Sequence, residues 1–126
     1  MTALPEIAYN DYITSAAISY SEYLSTNNAM EHNANGTPKS RLAAKGYSYY
    51  AGEILAFGNS DDYNTTVNSE SASINFIRDI IIDSQSFDIN RRNLVLSPDV
   101  KKTGIGYKNN PASTYKNIIV VVFGSY

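Results

Sequence analysis

The chain has 126 residues, 43% hydrophobic and 17% charged, which predicts one domain (residues 1–126) with core enough to fold without staples. Its net charge of −2 offers no basic field to phosphate backbones and excludes nucleic acid as a partner class. With no cysteine, disulfides, thiolate nucleophiles and cysteine zinc sites are excluded too.

Met1 to Glu6 lacks a basic stretch followed by an apolar core, so it reads as no signal peptide. Tyr9 to Thr26 predicts a helix, because Ile13, Ala16, Ala17, Tyr20, Tyr23 and Leu24 recur at spacings of three and four. Asn10 or Asp11 can cap its start, and Asn27-Asn28 marks its end. Polar Glu31 to Lys39, with Gly36 and Pro38, predicts a loop; Ser40 to Lys45 predicts one helical turn closed by Gly46. Tyr47 to Phe57 reads as a strand around Gly52.

A polar loop is expected over Asn59 to Ser69, then a second helix from Ser69 to Asp83 with a broad stripe of Ile74, Phe76, Ile77, Ile80 and Ile81. Asp88 to Leu96 reads as short and irregular, with room for one turn. The tail predicts strands at Thr103 to Tyr107 and Asn117 to Phe123, joined through Asn109-Asn110-Pro111. Ile118 to Phe123 is the longest apolar run, far too short for a transmembrane segment. It is apolar on both faces, so helices should cover the sheet on both sides. The fold class expected is α/β (α+β).

His32 is the only histidine and sits in a polar loop between Glu31 and Asn33; a lone histidine is more often structural or exposed than functional. Glu53 interrupts an apolar stretch between Gly52 and Ile54. There a carboxylate is either exposed by the strand or must be paired, hydrogen-bonded or lining a cavity. Asp79, next to Arg78, reads equally as a solvated helix position. There is no glycine-rich phosphate loop, Gly-x-Ser-x-Gly elbow or His-Glu-x-x-His. A Ser-His-Asp triad could be drawn through His32, but nothing selects one serine.

Six fragments stand in a telling order: His32; Ala51-Gly52-Glu53-Ile54-Leu55-Ala56-Phe57-Gly58; Phe76-Ile77-Arg78-Asp79; Ile89-Asn90-Arg91-Arg92-Asn93-Leu94; Gly104-Ile105-Gly106-Tyr107; and Val120-Val121-Val122-Phe123-Gly124. Together they resemble the CAP family, the cysteine-rich secretory, antigen 5 and pathogenesis-related-1 group, over Leu4 to the C-terminus. The lack of cysteine resembles its bacterial branch.

The resemblance implies a three-layer α-β-α sandwich with a central cleft. A helix that usually precedes the segment like Leu4 to Leu24 is expected to be lacking. The family cleft carries two histidines and two acidic residues, and its histidine pair can hold a divalent metal. By position His32 matches the first histidine, Glu53 the Gly-Glu-Asn glutamate and Asp79 the helix glutamate, while Asn90 stands where the second histidine belongs. An amide oxygen is a poor substitute for imidazole, so no cofactor is implied and His32 is only a weak metal candidate. Ile54 for the motif asparagine and Phe76 for tryptophan are further drift.

Two functions follow from the resemblance. The favoured one is a non-enzymatic binding module for a lipid, a sterol-like ligand or a protein partner. It would act outside the cell or at its outer surface, with any export signal or anchor in residues beyond this sequence. The alternative is a metal-dependent hydrolase, with Glu53 as general base on a metal-bound water held by His32 and Asp79.

Overall fold

The computed structural model describes residues 6–58, 74 and 90–126. Apart from Ile74, the expected loop and helix over Asn59 to Asp83, Asp79 included, lie outside the described residues. The elements are β1 (Ala8–Tyr9), α1 (Asp11–Asn27), α2 (Pro38–Ala44), β2 (Tyr50–Gly58), α3 (Asn90–Val95), β3 (Lys102–Asn109) and β4 (Asn117–Gly124). The sheet runs β1-β3-β4-β2. β1 pairs parallel with β3, and β4 pairs antiparallel with both β3 and β2.

Of the two candidate caps for α1, Asn10 is the one used. Its side-chain oxygen accepts from the Ile13 N–H at 3.1 Å, satisfying one of the unpaired donors of the first turn. The Asn10 N–H in turn donates to the Thr103 carbonyl at 3.0 Å, so the cap is pinned to β3. Tyr9, expected in the helix, belongs instead to β1, whose Ala8 N–H bonds the Lys101 carbonyl. The helix ends at Asn28, left-handed at φ 51, a conformation that asparagine tolerates better than most residues. The Asn28 side-chain oxygen accepts from Ser113 Oγ and the Thr114 N–H, at 3.0 Å each. That ties the β3–β4 connection to the end of α1.

Helix α2 starts at Pro38, two residues before the expected start at Ser40. Thr37 and Ser40 bond each other's backbone N–H groups as a capping box. Proline's fixed φ and missing N–H suit the first helical turn. Gly46 follows the end with φ 99, as a C-terminal glycine should. β2 begins at Tyr50, later than the expected Tyr47.

β4 is buried along its whole length. Ile118, Val120 and Val122 pack with Ile13, Ala17, Tyr20, Leu24 and Leu42 of α1 and α2. Ile119, Val121 and Phe123 pack on the other face with Ile54 and Val100, joined by Leu94 and Val95 at the end of α3. The fold is therefore an α+β sandwich whose central strand is covered on both sides, as its alternation requires.

Gly104 and Gly106 set how closely α1 lies on the sheet. A Cβ at Gly104 would overlap the backbone of Ile13 and Thr14, and one at Gly106 that of Ala17 and Ile18. Between them Ile105 points the other way and is 40% exposed.

Candidate cleft around Glu53

Alternation along β2 decides where Glu53 goes. Ile54 joins the core on the α3 side and Leu55 packs against the α1 side, so Glu53 shares the face of Leu55. Its side chain is only 1% exposed, and both carboxylate oxygens are engaged. Oε2 accepts from Arg41 Nη2 at 2.8 Å. Oε1 lies 2.9 Å from Nδ1 of His32, whose side chain is 54% exposed. Glu53 is thus buried and paired rather than exposed by the strand.

Arg41 organises the surroundings. Its Nη1 donates at 2.8 Å to the backbone carbonyls of both His32 and Gly36. Its guanidinium carbon sits 3.3 Å above the ring centroid of Tyr20, within cation–π range. The Tyr20 hydroxyl donates to the Glu31 carbonyl and accepts from the Ala34 N–H, while the Tyr23 hydroxyl donates to the Ala34 carbonyl at 3.0 Å. The segment carrying His32 is thus held from below by two α1 tyrosines and from the side by an α2 arginine.

Electrostatics follow from this packing. Burial pushes the Tyr20 phenol above its ordinary pKa, opposed by the Ala34 hydrogen bond and the Arg41 charge. Burial likewise raises Tyr50, and the negative charge of Glu53 adds to it.

Beside Glu53, along the edge of β2, opens a cleft of about 570 Å³ lined by His32, Pro38, Tyr50, Gly52 and Leu94 among others. Leu94 of α3 lies so close over Gly52 that a side chain there would have to push it aside. Of the residues expected to converge, His32 and Glu53 are in direct contact. Asp79 lies outside the described residues. Asn90 opens α3, the helix whose Asn93 and Leu94 line the cleft. Arg41 and Tyr50 are absent from the residues that sequence singles out, and Tyr20 is marked there only as part of the helix face. The one available signal is that a carboxylate in an apolar strand demands a cation, and Arg41 stands on the nearby α2.

Glu53 is poorly suited to hold a divalent metal: both its oxygens are in use, one of them by a guanidinium whose charge opposes a cation. Among the described residues no three histidine, aspartate or glutamate side chains cluster to hold an ion.

The order of helices and strands and the sheet they build are those of a CAP-type domain. The model of the cysteine-rich secretory protein family (CAP) matches residues 1–123, and the chain belongs to that family. Among solved structures it is similar to an outer surface protein from Borrelia burgdorferi, with TM-score 0.66 and 23% identity over 97% of this chain and 79% of that one. It is also similar to an extracellular protein containing a SCP domain from Bacillus anthracis str. Ames, with TM-score 0.67, 18% identity and 96% of this chain covered. The match spans 34% of that longer protein. No curated protein sequence matches the chain.

Proposed function

We propose that this chain is a non-enzymatic binding module that works outside the cell or at its surface, and that its cleft takes up a small ligand with an apolar body. The observation that carries this reading is the engagement of Glu53. A general base must reach a substrate proton with a free lone pair, and here the carboxylate is buried between Arg41 and His32. With its side chain only 1% exposed, Glu53 meets a substrate proton only if His32 or Arg41 moves aside.

The cleft volume falls within the range typical of small-molecule sites, about 300–1,000 Å³. Its walls set apolar Pro38, Ala51 and Leu94 among polar His32, Asn33, Tyr50, Glu53, Asn93 and Ser97, which supports a small ligand with an apolar body and a polar group, as a sterol-like molecule has, over a flat protein surface. The extracellular setting is supported by the two similar solved proteins, one described as outer surface and one as extracellular. Among the described residues no helix is long and apolar enough to cross a membrane.

Calorimetry against a panel of fatty acids and sterols tests the reading, with Asn93→Trp as a variant that fills the cleft from an exposed position. The expected result is saturable binding by the parent and loss of it in the variant. Zinc-stimulated ester hydrolysis that disappears in Glu53→Gln would establish the hydrolase instead.

A further inference from the structure

We propose that the neutral form of His32 presents a bare Nε2 lone pair to the cleft and that this atom reads a neutral hydroxyl group on the ligand. The inference rests on the binding role proposed above and names the chemistry that the cleft recognises.

The argument begins at the carboxylate. Paired with a guanidinium at Oε2, Glu53 is an acceptor at both oxygens. The 2.9 Å contact at Oε1 therefore needs its proton from Nδ1 of His32. A neutral imidazole has one N–H, so with Nδ1 protonated the Nε2 nitrogen carries a bare lone pair. Glu53 thereby selects the tautomer that free imidazole side chains populate less. Nε2 has no partner among the described residues, and His32 lines the cleft with half its side chain exposed.

A bare lone pair recognises a donor. Carboxylate or phosphate ligands that have no proton to give find none of their needs met there. A cation is disfavoured because the charge of Glu53 is already balanced by Arg41 at 2.8 Å. A neutral hydroxyl fits. Tyr50 supplies the complementary half, since it also lines the cleft, its hydroxyl has no described partner, and it stays protonated beside Glu53. A ligand hydroxyl can donate to His32 and accept from Tyr50 while its apolar body rests on Pro38, Ala51 and Leu94.

Because His32 is the only histidine, protein labelled with ¹⁵N-histidine reports on it alone. At about pH 8.5, where imidazoles are neutral, the spectrum should show Nδ1 protonated and Nε2 bare; the opposite tautomer overturns the proposal. Cyclohexanol and methoxycyclohexane, matched probes with and without the donor, are then titrated while the cleft amides are followed. Cyclohexanol should bind about tenfold more tightly, the worth of one hydrogen bond, and should shift Nε2. In His32→Ala, a change at an exposed side chain, the two probes should bind alike. Equal binding to the parent would overturn the hydroxyl reading and leave the binding role intact. Preference for cyclohexanecarboxylate would overturn it too, making the cleft an anion site. If no probe moves the cleft amides, the binding role falls with the proposal.

Discussion

Helix α1 meets the rest of the molecule in two contrasting ways. Near its start, Ile13, Thr14 and Ala17 lie on Gly104 and Gly106, where backbone approaches backbone because no side chain intervenes. Further along, Tyr20 and Tyr23 reach out to carbonyls and an N–H of the segment carrying His32, and Tyr20 carries Arg41 on its ring. The first contact is dry and gains from apolar burial, about 1.5–3 kcal/mol per large side chain. The second gains little net energy, because desolvation offsets most of the attraction in a buried ion pair. What it gains is position. It fixes one histidine and one carboxylate beside a cleft, which an apolar contact of the same size could not do.

The sharpest way to break this contrast is to place a carboxylate in the dry part. Val120 faces α1 on the same side of the sheet as Glu53, but no described residue packed there resembles Arg41. Val120→Asp should cost about 4–7 kcal/mol, the equivalent of a pKa shift of about 3–5 units for a buried unpaired group. That approaches the whole stability of a domain this size, about 5–15 kcal/mol. Chemical denaturation measures it, and a variant that melts within a degree or two of the parent would show that solvent reaches this face.

A smaller effect is expected at the glycines. Gly106→Ala forces α1 off the strand and should cost about 3 kcal/mol, while Ile105→Ala, next to it but facing outward, should cost under about 1 kcal/mol. Equal losses at the two positions would mean that α1 and β3 are not held at backbone contact.

The polar side can be sharpened with Tyr20→Phe. This keeps the ring beneath Arg41 and removes the hydroxyl that holds Glu31 and Ala34, for an expected loss of about 1–2 kcal/mol. The same residue gives a pH signature. The raised pKa values of Tyr20 and Tyr50 mean that folding favours their neutral forms. Their contribution is complete below the unfolded tyrosine pKa of about 10 and is lost as pH rises through the higher folded values. Urea midpoints should therefore fall above about pH 10, and the fall should be shallower in Tyr20→Phe. An unchanged slope would place the Tyr20 phenol in contact with solvent.

The dry part is readable from local pattern alone. The spacing of Ile13, Ala16, Ala17, Tyr20 and Leu24 marks the helix and its buried face, and the unbroken Ile118–Phe123 run marks a strand covered on both sides. β1 is not readable, because its two residues are defined by pairing with Lys102 and Thr103 across the chain. Pro38 reads as a loop residue in sequence, yet it opens α2. His32 and Glu53 stand out through family resemblance, since 21 residues separate them and no spacing rule connects a loop to a strand. Arg41 escapes notice because two of its partners are the backbone carbonyls of His32 and Gly36, which leave no mark in side-chain sequence.

The central claim is that Glu53 and Arg41 form one structural unit, so that Glu53 is not free for chemistry. A double-mutant cycle on folding stability, with Arg41→Met, Glu53→Leu and the pair together, tests it directly. Each single change strands a buried charge and should cost about 3–5 kcal/mol, and the double variant should regain at least about 2 kcal/mol of the summed loss. Single effects that add to the double within about 0.5 kcal/mol would show two independent side chains, and the account of the cleft built on their union would be contradicted.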